Sequence, residues 1–200
     1  VVTNIISNMK KQIIASIKII GAMTLLLGVI YPLLITAIAQ IIFPEKANGS
    51  LIEINKELKG SLLIGQRFDN HPGYFNPRPS ASGYDGLASG GSNLSLTNKE
   101  LYKEMQERKA KFMADNKLEA NVSIPSEMLF ASASGLDPHI PPDAAKLQVK
   151  RIAEARNFSE NEITLLNNLI DNLTEQPQFG IFGNRRVNVF VLNLELDKLK

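Results

Sequence analysis

The chain has 200 residues, of which 44% are hydrophobic and 21% charged, and its formal net charge at pH 7 is +2. With 22 basic and 20 acidic residues, it lacks the excess of positive charge that is typical of nucleic-acid-binding proteins. It contains no cysteine, which excludes a disulfide framework and any metal site built on thiolates.

A long uncharged stretch lies near the amino terminus. Residues 19–44 contain no Asp, Glu, Lys, Arg or His, and fourteen of their side chains are Leu, Ile, Val or Phe. As an α-helix this stretch would be roughly 39 Å long, more than the ~30 Å of a bilayer's hydrocarbon layer. We therefore predict a transmembrane helix over residues 16–43, preceded by a short basic cytoplasmic tail over residues 1–15.

The charges that flank the predicted span indicate its orientation. Lys10, Lys11 and Lys18 precede the uncharged stretch, and no acidic residue occurs before Glu45. Since basic residues next to a span are retained in the cytoplasm, the amino terminus is expected inside the cell. Residues 44–200 would then form one extracytoplasmic, periplasmic domain.

A cleaved signal peptide is the alternative interpretation of the same segment. A basic start, an apolar stretch and Ala37-Ile38-Ala39 resemble the three regions of such a peptide. However, the apolar run is longer than the roughly 7–15 residues of a usual signal core. This length favours a retained anchor.

Pro32 lies inside the predicted span and leaves the Gly28 carbonyl without its helical partner, so we expect a kink there that a partner helix could accommodate.

The predicted external domain begins with two short apolar stretches, over residues 50–54 and 61–65, that are plausible strands. Residues 68–98 are then dominated by Gly, Ser, Asn and Pro, with Tyr74, Phe75 and Tyr84 as large side chains. An irregular connection of this length is unusual in a compact domain and often marks a working surface. We interpret it as a shaped loop.

Helices are predicted for much of the remainder. Thr97 with Glu100 and Ser159 with Glu162 each fit a capping box at the start of an apolar stripe. A further helix is expected over residues 142–156, with Ala144, Leu147, Ile152 and Ala155 facing inward. Residues 187–196 include an alternating apolar pattern that predicts a closing strand. The fold class is thus α+β, with a single N-terminal transmembrane helix followed by one extracytoplasmic α+β domain.

The residues offer weak signals for catalysis. Ser134, Asp137 and His139 are close in sequence and could belong to a hydrolase, but the Gly-x-Ser-x-Gly elbow is missing. A turn in which Asp137 caps backbone amides before Pro138 is the preferred interpretation. His71 has no second ligand at metal-binding spacing, so no metal site is predicted.

Two other motifs could bind a ligand or a partner. Gly90 and Gly91, in Ser-Gly-Gly-Ser, could bring backbone amides close to a phosphate, although the Lys-Ser/Thr ending of a P-loop is absent and a tight turn is preferred. Arg78 stands between two prolines and is a better recognition residue than a catalyst, because its guanidinium offers a rigid fork of donors.

Seven stretches of the chain, in their order and spacing, closely resemble one known family. They are YPLL at 31–34, ANGSLI at 47–52, GSLLIGQRF at 60–68, GYFNPRPSA at 73–81, ASGGSNL at 88–94, ASASGLD at 131–137 and RVNV at 186–189. They resemble the C subunits of Kdp-type potassium-importing P-type ATPases over nearly the whole chain. The resemblance implies a bacterial inner-membrane complex with a channel-like A subunit, an ATP-hydrolysing B subunit and a small F subunit.

The resemblance also implies a non-catalytic role, in which the chain acts in assembly and as a catalytic chaperone that raises the ATP affinity of the B subunit. Proposals of direct nucleotide contact in the family fall on residues that correspond here to Ser89, Gly90, Gly91, Ser92 and Gln148. Since the predicted topology places these residues across the bilayer from cytoplasmic ATP, an allosteric effect on ATP affinity is the preferred explanation.

We expect the partner-docking surface to involve Tyr74, Phe75, Arg78, Tyr84 and Asn93, with Pro32 serving in the membrane. The expected partners are the A, B and F subunits and membrane lipid. No cofactor is expected to bind tightly; ATP would be bound through the B subunit, and potassium would be the transported ion. The alternative function is a membrane-anchored periplasmic hydrolase that uses Ser134, Asp137 and His139.

Overall fold

The computed structural model describes residues 2–54, 56–68 and 71–199, with side chains from residue 8 onward. The chain divides into two compact units, one ending at Leu51 and the other beginning at Ile52. The first unit is mainly helical, and the second combines helices with short strands, so the predicted α+β class is confirmed. Residues 69 and 70, within the predicted irregular loop, lie outside the described residues.

A π-helical turn interrupts the N-terminal helix at the place where Pro32 predicts a disturbance. The segment consists, in order, of α1 (Val2–Leu25), the π turn (Leu26–Ile30), α2 (Tyr31–Ile42) and the single-turn α3 (Pro44–Ala47). In regular α geometry the Pro32 ring would collide with the Gly28 carbonyl. The wider turn relieves this conflict, and the Tyr31 N–H donates to the Leu26 carbonyl, five residues earlier.

The side chains of this helical segment are not covered by protein. Within Asn8–Ile42 the most apolar window is 0% buried, and Ile41 is 81% exposed. A helix of this composition in the core of a water-soluble protein would be mostly buried. Among the described residues, this is the stretch long and apolar enough to cross a bilayer. It fits a single-pass membrane protein.

The second unit is built from short elements. Its strand pairs are β1 (Leu51–Ile54) with β2 (Glu57–Ser61) and β3 (His139–Ile140) with β4 (Val187–Asn188). Its helices are α4 (Lys99–Asp115), the 3-10 turn Ser126–Met128, α5 (Pro142–Lys146), α6 (Val149–Arg156), α7 (Glu160–Asn172) and α8 (Val189–Leu196). The β3–β4 pair is antiparallel.

Strand β1 confirms the first predicted strand, but the strand predicted over residues 61–65 is wrong. β2 ends at Ser61, and the chain turns there, with the Leu63 N–H donating to the Ser61 hydroxyl at 3.1 Å. The backbone beyond it finds distant partners. The Leu62 carbonyl accepts from the Asn188 amide at 2.8 Å, and the Gly65 N–H donates to the Leu136 carbonyl at 2.7 Å.

The predicted helix starts are partly correct. Ser159 and Glu162 form the expected reciprocal capping box at the start of α7, whose residues Leu166 and Ile170 are buried. The capping box with Thr97 is wrong by one residue, because Asn98 is the N-cap of α4 and its side chain accepts from the Glu100 N–H at 2.8 Å. An Asn is as good a cap as a Thr, so the two positions compete.

The helix predicted over residues 142–156 is divided in two. α5 ends at Lys146 and α6 begins at Val149, and Gln148 between them is fully buried. Ala144 and Ile152 face the core as predicted. The inward position predicted for Ala155 is wrong: it is exposed. Ala153, two residues earlier in α6, is buried instead.

The predicted C-terminal strand is wrong beyond its first two residues. Only Val187–Asn188 pairs as a strand, and α8 follows. Asn188 caps this helix by accepting from the N–H groups of Phe190 and Val191 at 3.0 and 3.2 Å. The buried residues then follow helical spacing, and they are Val189, Phe190, Leu192, Asn193 and Leu196. In so apolar a run, periods of two and of 3.6 are difficult to distinguish.

The core of the second unit forms around α7, which packs against α5, α6 and α8. Completely buried side chains include Ile152, Leu166, Ile170 and Leu192. Phe75, from the irregular loop, is also completely buried and belongs to the same cluster. The loop is therefore part of the fold rather than a peripheral connection.

Candidate functional site

Within residues 71–98 the segment up to α4 has no regular secondary structure, yet it is held firmly by side chains from helices. Asn193 of α8 is 2% exposed and forms two hydrogen bonds with Phe75: its Oδ1 accepts from the backbone N–H at 2.8 Å, and its Nδ2 donates to the carbonyl at 3.0 Å. A buried irregular backbone needs such partners, because no neighbouring strand satisfies it. The predicted shaped loop is confirmed.

Gln148 performs the same role one residue further along. Its Oε1 accepts from the Asn76 N–H at 2.8 Å, and its Nε2 donates to the Asn76 carbonyl at 3.2 Å. Its Oε1 also accepts from Arg151 at 2.8 Å. The side chain has no exposed surface, and both polar atoms are used within the protein.

Arg151 of α6 links this network to the preceding residues of the loop. It is 8% exposed and donates to the Tyr74 carbonyl at 2.9 Å, to the Pro72 carbonyl and to Asn116 Oδ1 at 2.9 Å. Burial lowers the pKa of its guanidinium from the ordinary value, and the Asp115 carboxylate opposes this effect. The bound backbone carbonyls replace water as acceptors for this buried cation.

The Tyr74 side chain forms further contacts between the loop and the helices. The Arg156 guanidinium lies 4.7 Å from the centre of its ring, and its hydroxyl donates to Asp197 at 3.0 Å. Partial burial, followed by the hydrogen bond to Asp197, raises the pKa of the Tyr74 hydroxyl. Arg156 also pairs with Asp197 at 2.7 Å. Tyr74 thus joins the loop to α6 and to the end of α8.

Three other loop residues are joined to residues 134–135 by hydrogen bonds to their backbone carbonyls. The Gly90 N–H and the Ser89 hydroxyl both donate to the Ser134 carbonyl, at 2.8 and 2.9 Å. The Ser80 hydroxyl donates to the Gly135 carbonyl at 2.6 Å. The Gly90 amide, which a phosphate cradle would present to an anion, is therefore already bonded within the protein.

Glycine is required where these two segments approach each other most closely. A Cβ atom on Gly91 would lie 3.0 Å from the Ala133 carbonyl oxygen. Gly135 has φ +68°, and a Cβ there would lie 2.7 Å from the Gly90 carbonyl oxygen. Gly90 itself has open space around it. The Ser-Gly-Gly and Ser-Gly-Leu motifs thus permit backbone packing, and Ser92 and Asn93 beyond them are exposed.

Arg78 pairs with Asp137 across the same junction, at 2.9 Å between Nη1 and Oδ2. The other carboxylate oxygen accepts from the His139 backbone N–H at 3.0 Å and lies 3.3 Å from its Nδ1. Burial acts to raise the pKa of Asp137, but the hydrogen bonds from His139 and Arg78 outweigh it and lower the pKa to about 2. Asp137 caps backbone amides at this turn, as preferred from sequence.

The hydrolase arrangement is not assembled. The Ser134 hydroxyl accepts from the Leu136 N–H at 3.1 Å, and the described residues show no hydrogen bond between Ser134 and His139. The Asp137 carboxylate pairs with Arg78 and accepts a hydrogen bond from the His139 N–H in the turn. Asp137 and His139, but not Ser134, line a cleft of about 610 Å³ that also includes Arg185 and Arg186. Within the described part of the chain, no group of three His, Cys, Asp or Glu residues could hold a metal ion.

The residues predicted to dock a partner have different accessibilities. Phe75 is 0% exposed, so its assignment to a docking surface is wrong. Tyr74, Arg78 and Tyr84 are partly buried and bonded internally; the Tyr84 hydroxyl donates to the Arg78 carbonyl at 2.7 Å. Asn93 is exposed. Pro32 lies in the helical segment of the other unit and is also exposed.

Sequence analysis missed three polar residues that hold the loop, Asn193, Arg151 and Arg156. It also missed Asn188, which caps α8 and bonds the Leu62 carbonyl. A signal for two of them was present. Asn188 and Asn193 interrupt an otherwise apolar run, and a buried amide must find hydrogen-bond partners. Such partners can be identified only when the loop backbone is seen beside the helix.

Gly91→Ala should lower the free energy of unfolding by about 1–3 kcal/mol, because the new methyl group presses on the Ala133 backbone. Gly90→Ala is the matched control and should change it by less than about 0.5 kcal/mol. Denaturant unfolding of the full chain in detergent measures both. Equal losses in the two variants would contradict the packing explanation.

Asp137→Asn should cost about 2 kcal/mol of stability at neutral pH, the amount that corresponds to a pKa lowered from 3.8 to about 2. Because a lowered pKa stabilises the fold only while the carboxyl is ionised, the difference from the unmodified chain should shrink as the pH falls from about 4 to about 2. Unfolding of both proteins across this range tests the prediction. A difference that does not depend on pH would refute it.

Comparison with known proteins agrees with the resemblance seen in the motifs. The family model described as "K+-transporting ATPase, c chain" matches residues 13–198. The potassium-transporting ATPase KdpC subunit of Koribacter versatilis is 46% identical over 192 residues, covering 94% of this chain and 95% of the relative. That of Gemmatimonas aurantiaca is 47% identical, covering 90% and 88%. That of Mycobacterium tuberculosis strain H37Rv is 40% identical, covering 96% and 100%. The chain therefore belongs to the KdpC family, the c chains of K+-transporting ATPases.

Proposed function

We propose that this chain is a non-catalytic accessory subunit of an ATP-driven, high-affinity potassium uptake complex. The observation that carries the proposal is similarity over nearly the full length to proteins named as KdpC subunits of potassium-transporting ATPases. The geometry of the candidate site agrees with a non-catalytic role. Its polar side chains bind the protein's own backbone, and the hydrolase residues are engaged in a turn.

The proposed complex lies in the bacterial inner membrane, and its other members are a channel-like A subunit, an ATP-hydrolysing B subunit and a small F subunit. Lys10, Lys11 and Lys18 before the apolar helix support a cytoplasmic amino terminus and a periplasmic second unit. In the bilayer, the π turn before Pro32 offers an irregular surface to a neighbouring helix.

The proposed docking surface for the pore subunit is the outer part of the irregular loop. Leu87 is completely exposed, and Asn93 is exposed. Tyr74, Arg78 and Tyr84 are partly buried, and their side chains fix the loop by bonding within the protein. A loop fixed in this way loses little conformational entropy on binding. An exposed apolar side chain on a rigid loop is a suitable anchor for a partner.

Leu87→Asp should weaken copurification with the pump and reduce its potassium-stimulated ATPase, on the order of tenfold, because a charge would enter the proposed interface. Leu165→Asp is the control, since Leu165 is half exposed on α7, outside the loop. Affinity purification of the whole complex, followed by ATPase assays, measures both effects. Normal assembly and activity of the Leu87 variant would count against this surface.

The proposed effect on nucleotide is allosteric: the chain acts as a catalytic chaperone and raises the ATP affinity of the B subunit by docking differently to two states of the pump. Two observations support this. The Gln148 amide is buried and bonded to Asn76 and Arg151, and the Gly90 N–H is bonded to Ser134. Gln148 would thus act by fixing the loop that docks.

Gln148→Ala and Arg151→Lys should have the same effects in the whole complex, because both loosen the same stretch of loop. Each should lower the unfolding temperature of this subunit and raise the KM for ATP several-fold. Steady-state ATPase assays and thermal unfolding of the purified complex provide the comparison. If only the Gln148 variant raised the KM, and did so without loss of stability, direct nucleotide contact would be the better explanation.

A further inference from the structure

Residues 179–182, which we call the 179–182 tip, lie at the end of a short and well-ordered hairpin. The Gln178 and Phe182 backbones exchange two hydrogen bonds, both of 2.9 Å. Below them, the Glu175 and Arg186 backbones exchange two more, at 2.8 and 3.1 Å. The side chains of Arg186 and Glu175 also pair at 2.9 Å. The hairpin thus presents its end in a defined conformation.

The 179–182 tip exposes its apolar side chains almost completely. Phe179 is 90% exposed, Ile181 is 78% exposed and Phe182 is 66% exposed. Phe179 also has φ +54°, a left-handed conformation that bulky residues rarely adopt. Neither burial nor backbone preference accounts for a phenylalanine at this position. A residue kept under strain and in water points to a role outside the folded domain.

Positive charge follows the apolar tip closely in the sequence. Arg185 and Arg186 follow it after Gly183 and Asn184. Arg186 is paired with Glu175, whereas Arg185 has no ion-pair partner among the described residues. An apolar tip next to an arginine matches the boundary of a bilayer, where acyl chains lie beneath phosphate groups.

The covalent structure of the chain favours a lipid bilayer as the occupant of the 179–182 tip. The chain carries its own apolar helix, which would tie the second unit to a membrane. This tether raises the local concentration of lipid around the tip.

We propose that the 179–182 tip inserts into the interface of the bilayer that the chain's own helix enters, and that Arg185 binds the phosphate of an anionic phospholipid there. Phe179, Ile181 and Phe182 supply the inserted surface. The hairpin is then a second membrane contact, independent of the helix and of any pump subunit. It would hold the domain in a fixed orientation on the membrane surface.

The chain contains no tryptophan, which makes a direct test possible. Phe179→Trp introduces a single fluorophore at the tip, and Leu96→Trp provides a matched control, because Leu96 is 92% exposed in a different loop. Each full-length variant is reconstituted into bilayers of phosphatidylcholine and phosphatidylglycerol, with or without brominated acyl chains. Quenching by the bromines reports contact between the tryptophan and the acyl chains.

The tryptophan at position 179 should emit at shorter wavelength and lose at least half of its intensity in brominated bilayers, whereas that at position 96 should show little quenching. Arg185→Gln in the Phe179→Trp chain should reduce the quenching at least twofold in anionic bilayers. The proposal is overturned if position 179 behaves like position 96. It is also overturned if the assembled pump shields position 179 from bromines, since a protein would then be the occupant. Neither result bears on whether the chain copurifies with a potassium pump.

Discussion

The second unit depends on one constraint: the backbone N–H and carbonyl groups of a long irregular loop need hydrogen-bond partners, and no neighbouring strand supplies them. Gln148 and Asn193, both buried, each bond the N–H and the carbonyl of one loop residue. Arg151 donates hydrogen bonds to backbone carbonyls just before these loop residues, such as that of Tyr74. Each side-chain amide thus forms the pair of hydrogen bonds that a neighbouring strand would otherwise supply. Asn193 and Arg151 belong to helices of the core, and Gln148 lies between two of them, so folding of the core also fixes the shape of the loop.

The same constraint explains the glycine-rich motifs. Gly91 and Gly135 lie where two backbones are too close for a side chain, and the Ser134 carbonyl receives donors from the opposite segment. A sequence such as Ser-Gly-Gly is open to interpretation as an anion site, because glycine favours both close backbone packing and close approach to a ligand. The local hydrogen bonds here favour packing. These hydrogen bonds hold the loop in place, and Leu87 and Asn93 are exposed on it.

The two units differ in where their apolar side chains lie. The N-terminal helix exposes large apolar side chains on all sides, as expected of a helix in lipid, and its π turn lies just before Pro32. The second unit concentrates apolar residues in a core around Leu166 and Ile170. It also exposes large apolar side chains, among them Leu87, Leu96 and those of the 179–182 tip.

The sequence alone determined the apolar helix, its disturbance at Pro32, the capping box at Ser159 and the irregular character of the loop. These features depend on local chemistry: hydropathy, a missing N–H, or residues three apart. Its motifs also identified the family. Only the tertiary structure decided that α8 is a helix, that α5 and α6 are separate helices with Gln148 between them, and that Phe75 belongs to the core rather than to a docking surface. Each of these depends on which distant backbone a side chain meets, and the residues that meet, such as Phe75 and Asn193, are 118 positions apart.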